Sequence, residues 1–111
     1  MTRALKRAMK KKKNQRNQQP MIQALVWYKE EDWDVLMNMF PDRDLMPVSY
    51  GDWLARADEL MEKVQAEGDI ALKVFIDPLT FPQWCREKGL EMDAAARTGL
   101  AMEVATKHRQ R

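Results

Sequence analysis

The sequence has one cysteine, Cys85, and one histidine, His108, among its 111 residues. A lone cysteine excludes an intramolecular disulfide, and the two residues together are too few for a conventional Cys/His zinc site. They are also poorly placed as a nucleophile and base. Cys85 follows Trp84 in an amphipathic stretch where a thiol behaves as a small apolar group, and His108 falls near the C-terminus. Glycine is scarce, at 51, 68, 89 and 99, which is too scattered for a loop that cradles phosphate. No run approaches the roughly 20 apolar residues of a membrane span. The basic beginning lacks the apolar run of a secretory signal, and four consecutive lysines followed by Asn and Gln make a poor organelle-targeting face. The composition suits a cytoplasmic protein, and nothing in it specifies a cofactor, a metal or a small-molecule ligand.

Acid is missing from residues 1–19, which hold Arg3, Lys6, Arg7, Lys10, Lys11, Lys12, Lys13 and Arg16. The remaining 11 cations face all 17 acids, so residues 20–111 carry a formal −6, and the overall pI near 8.8 averages two unlike pieces. Ala4, Leu5, Ala8 and Met9 offer one short apolar stripe, and the Lys and Asn/Gln run after it has nothing to bury. Residues 1–19 therefore read as a flexible, solvated tail. Its functional alternatives are contact with nucleic acid through those eight cations or with an anionic membrane surface. Pro20 marks the boundary, and residues 20–111 form one small domain whose chain, 45% apolar overall, can supply a core.

Within that domain, Trp53, Leu54, Ala57, Leu60, Met61 and Val64 recur at three- and four-residue spacing, predicting a helix over 49–67. Ser49 is its cap, Asp52 completes a capping-box pattern, and Val48 with Trp53 is positioned for a hydrophobic staple. Gly68 is the stop. The period then changes to two: Ile70, Leu72, Val74 and Ile76 share one face, and Ala71, Lys73 and Phe75 the other, giving a strand over 70–76 that Asp77-Pro78 ends.

The order proline, aliphatic, hydroxyl, aromatic, breaker, polar, tryptophan occurs twice, at Pro47–Trp53 and again at Pro78–Trp84. It predicts a second capped helix with Thr80 as cap and Leu79 stapled to Trp84. Shared helix-start physics explains the echo more readily than an old duplication, because the likeness fades after Trp84. Residues 21–28, rich in β-branched and aromatic side chains, suggest a short buried strand, although pattern alone does not separate so short a run from a buried helix turn. Glu30, Glu31, Asp32 and Asp34 then suit a helix start whose stripe is Trp33, Leu36, Met37 and Phe40, ended by Pro41. Gly89 closes the Trp84 helix. Asp93 caps a last helix to about His108, with a face of small residues at Ala95, Ala96, Gly99, Leu100 and Val104.

These elements make a predominantly helical α+β fold: about four helices and one or two short strands in a small single domain after the basic tail. Trp33, Trp53 and Trp84 each sit near a helix start as core anchors, with a shared aromatic ligand pocket the lesser reading. Met37, Met61 and Met92 fill gaps. Trp27 could mark an interface with a second copy.

Chemistry is thin. Asp42 and Asp44 lie in a loop lacking the ligand spacing and turn glycine of a calcium site, and Glu30 to Asp34 already serve a helix start. No residue stands out as catalytic. The expected function is a small non-catalytic cytosolic binding or adaptor protein, able to form a homodimer if a strand edge is open, with its basic arm for polyanions. The alternative is a small enzyme or enzyme subunit using acids around Asp42, Asp44 and Asp77. An enzyme would gather those carboxylates in one pocket, whereas an adaptor would expose an apolar patch or a strand edge.

Overall fold

The computed structural model describes residues 19–109, so the eight cations from Arg3 to Arg16 lie outside the described residues. Strand β1 (Ile22–Trp27) is followed by a single 3-10 turn (Glu30–Asp32), helix α1 (Trp33–Met39), a second 3-10 turn (Arg43–Leu45) and the long helix α2 (Tyr50–Ala66). Strand β2 (Ile70–Phe75), helix α3 (Thr80–Lys88) and helix α4 (Ala94–Arg109) complete the order. The predicted α+β class and number of elements are those found.

The two strands pair with each other and run parallel, from Ile22↔Ile70 to Trp27↔Phe75. Parallel neighbours need a long crossover, and α1 and α2 supply it. Asp69 fastens the register at one end, accepting from the Met21 amide at 3.1 Å and from the Gln23 side chain at 2.7 Å. The turn into β2 uses Gly68 at φ 91°, where a side chain would be strained.

One aromatic cluster holds the sheet and crossover together. Trp53 of α2 meets Trp27 edge-on at 5.2 Å and Tyr28 at 4.9 Å, and Tyr28 also meets Trp33 and Phe40. Leu36, Ile76, Phe81 and Cys85 are fully enclosed around it. Trp27 is thus chiefly a core residue, only 4% exposed.

Helix starts follow the sequence reading only in part. Ser49 accepts from the Asp52 amide at 3.1 Å, as a cap should. Val48 nevertheless stays 93% exposed, because Trp53 turns inward to the aromatic cluster and leaves nothing to clasp. At α3 the cap is Asp77, which accepts from the amides of Leu79 at 2.7 Å and Thr80 at 3.0 Å. Thr80 is the first helical residue and Leu79 occupies the cap position, so Leu79 projects into solvent at 82% exposure and no staple to Trp84 forms. Trp84 is half-buried; it stacks on Phe81 at 6.3 Å and donates its indole N–H to Glu103 at 3.3 Å.

Asp93 caps the last helix, accepting from Ala96 at 3.0 Å. Its buried face is Ala96, Arg97, Ala101 and Ala105, whereas Ala95 and Val104 are exposed. The rotation from the predicted face has a cause: Arg97, a residue the apolar pattern passes over, is anchored inward.

Candidate functional site

The most deeply set charge among the described residues is Arg97, 3% exposed. Its guanidinium donates to both oxygens of Asp42, at 3.0 and 2.7 Å, and to the Met92 carbonyl at 3.1 Å. Its central carbon also sits over Phe40, 4.0 Å from the ring centre. A planar fork matches a carboxylate in this way, and the aromatic face accommodates the delocalised cation. The bond from Arg97 holds the Asp42 carboxyl below its usual range. Burial works against charge on Arg97, but Asp42 and the nearby Tyr28 outweigh it and raise its pKa. Burial also pushes up the Tyr28 hydroxyl, against the opposing field of Arg97. The two terminal nitrogens of Arg97 are engaged by Asp42, the Met92 carbonyl and, at 3.6 Å, the Met46 sulfur, so the arrangement works as a clamp between α4 and the loop after α1.

The acids singled out from sequence are dispersed among separate tasks. Asp42 serves Arg97. Asp77 caps α3, and the amides of Thr80 and Leu79 lower its pKa. Asp44 sits exposed in the second 3-10 turn. Among the described residues no group of three or more His, Cys, Asp or Glu side chains is arranged to hold a metal ion. Cys85 is enclosed, and burial pushes its thiol up, away from the reactive thiolate. His108 is exposed on the last turn of α4. Glu30 and Asp34 border a shallow cleft with Trp33, Ser49 and Tyr50, where burial and then Glu30, Asp58 and Glu31 raise the Tyr50 hydroxyl.

The more apolar cleft runs along β1. A groove of about 380 Å³ has Ala24, Leu25, Val26 and Trp27 as its floor, Trp53, Arg56, Ala57 and Leu60 of α2 as one wall, and Thr98, Ala101 and Met102 of α4 as the other. Consecutive residues of a strand point to opposite faces, so a cleft that touches four in a row looks onto the strand's edge. Met102 and Ala105 continue it past Ile22 and Gln23.

The ladder shows which backbone groups face that edge. Ile70 donates to the Met21 carbonyl at 2.8 Å, and Ile76 to the Trp27 carbonyl at 3.0 Å. In a parallel pair the bonding residues of a strand alternate, so Gln23, Leu25 and Trp27 turn to β2, and Ile22, Ala24 and Val26 turn outward. Among the described residues no loop, helix or side-chain group hydrogen-bonds to the outward amides and carbonyls of those three. An open edge is usually blunted by lysine, proline or a bulge, and β1 has none of these. The edge was legible in the sequence only as a charge-free strand; the walls come from residues 26 to 78 positions away.

This geometry defines a small α+β protein on one β-α-β crossover with a recessed strand edge. No protein-family model matches the chain, and no curated protein or solved structure shows significant similarity to it. No helix among the described residues is long and apolar enough to cross a membrane.

Proposed function

We propose that this protein is a non-catalytic cytosolic binding or adaptor protein that receives a partner chain, a second copy or another protein, along the open edge of β1. Segment 1–19 adds sequence-independent contact with polyanions through its eight cations. The observation that carries the reading is the edge at Ile22, Ala24 and Val26, unpaired among the described residues and set between apolar walls. Leu60 and Met102 on those walls are 49% and 62% exposed, area that a partner would remove from water. The carboxylates an enzyme would need support it from the other side, since Asp42 and Asp77 are already engaged in structural bonds.

The test is affinity capture from cell extract with the full-length chain and with Ala24→Pro, which removes an outward N–H that β2 does not use. Partner recovery by the wild type and its loss in a folded Ala24→Pro variant supports the reading. Identical recovery by both chains sinks it.

A further inference from the structure

We propose that the β1 groove takes an extended peptide segment of another protein, apolar at alternate positions and bearing an acidic side chain opposite Arg56; this rests on the binding reading above and names the partner's chemistry.

Three features select that occupant. The first is the hydrogen-bonding demand of the floor. Ile22, Ala24 and Val26 present outward N–H and C=O groups at every second residue along one line. Only another extended backbone matches that spacing, and a strand added to an edge satisfies it.

The second is the position of α4, which packs chiefly on β1 and much less on β2. It therefore stands over the outer strand and walls one side of the edge with Thr98, Ala101 and Met102. A single strand slides between α4 and α2. A second copy pairing edge to edge would bring its own α4 to the same place, so the groove disfavours a homodimer through β1.

The third is charge. Arg56 is the only charged side chain on the groove, and it forms no ion pair among the described residues. A carboxylate on the incoming segment complements it. Segment 1–19 of this chain does not, having eight cations and no acid. The β1 strand of a second copy does not either, because Ile22–Trp27 carries no charge. The apolar walls set the remaining preference: alternate side chains of the segment fall against Leu60 on one side and Met102 on the other.

The probe is a random dodecapeptide library displayed on phage and selected against the full-length protein, with the selected peptides synthesised and their affinities measured by fluorescence anisotropy. The expected peptides alternate apolar residues around one Asp or Glu. Ala24→Pro and Met102→Arg should each weaken them by about tenfold or more, as loss of a central contact does. Arg56→Glu should reverse the preference, weakening acidic peptides and strengthening copies with Lys in place of the acid. Met102→Arg changes an exposed side chain and keeps the test decisive where Ala24→Pro does not fold. A library that yields no binder, or binders indifferent to Met102 and Arg56, overturns the proposal. So does a synthetic peptide of residues 1–19 that competes for the groove, or a dimer in sedimentation that Met102→Arg dissolves. Capture of a partner that depends on Ala24 but is not displaced by the selected peptides would leave the binding reading standing and remove this inference alone.

Discussion

Arg97 and Asp42, 55 residues apart in the chain, meet through two hydrogen bonds at 3.0 and 2.7 Å and lock α4 to the loop that follows α1. The side chains are unequally covered, 4% of Arg97 and 18% of Asp42 remaining exposed. Removing either partner therefore has different consequences. Asp42→Ala strands a buried cation and should cost about 3 to 5 kcal/mol, whereas Arg97→Met leaves a carboxylate that water can reach and should cost clearly less. Urea denaturation of the two variants measures the difference; equal losses would show that the pair is not buried as described.

The same pair sets an acid limit. Asp42, Asp77 and Glu103 all have carboxyls held below their usual range, by Arg97, by the Thr80 and Leu79 amides, and by the Trp84 indole N–H, respectively. A depressed folded pKa contributes stability that is fully present above the unfolded value, about 4, and is lost as pH falls through the folded value. Urea midpoints should hold near neutrality and fall below about pH 4. Asp42→Asn should flatten that fall, and an unchanged acid profile in the variant would remove Asp42 from the account.

The tryptophans give a third prediction. Sequence treats Trp53 and Trp84 as twin anchors, yet Trp53 is 9% exposed at the centre of the aromatic cluster and Trp84 lies half-buried against Phe81 and Glu103. Trp53→Ala should cost about 3 to 5 kcal/mol, and Trp84→Ala distinctly less. Equilibrium unfolding curves that rank them equally, or in the other order, contradict the packing.

Helix capping supplies a fourth. Ser49→Ala should cost about 1 kcal/mol, because Ser49 satisfies a first-turn amide that otherwise has only water. At α3, Asp77→Ala should lower Tm and Thr80→Ala should lower it less, since Asp77 accepts both cap bonds. Thermal melts showing the reverse order would return the cap to Thr80.

The basic segment gives the fifth. With about five of its eight cations on duplex DNA, log K should fall with log salt at a slope of roughly −4 to −5. No aromatic residue occurs in residues 1–19 to stack on bases, so sequence preference should be absent. Titrating DNA and RNA against the full chain and a chain beginning at Pro20 checks this. Equal affinities, or no binding by either at low salt, would leave the segment without a polyanion role.

The sequence by itself determined the local elements. The apolar period of 3.6 in Trp53–Val64, the period of two in Ile70–Ile76, and the glycines at 68 and 89 are recorded in neighbouring residues, so α2, β2 and two helix stops were readable within a residue or two. The separation of eight cations from a domain of formal −6 was equally plain.

Only the tertiary structure decided how those elements meet. That β2 pairs in parallel with β1, that Arg97 turns inward to Asp42 and rotates α4, and that Val48 and Leu79 go unclasped all depend on contacts between residues remote in the chain. The groove follows from the same cause. Its floor is one strand, but its walls are α2 and α4, and among the described residues the amides of Ala24 and Val26 go unpaired because β2 took the other edge. Local periodicity fixes which face of an element is apolar; which partner covers that face, and which edge is left open, is settled by long-range packing.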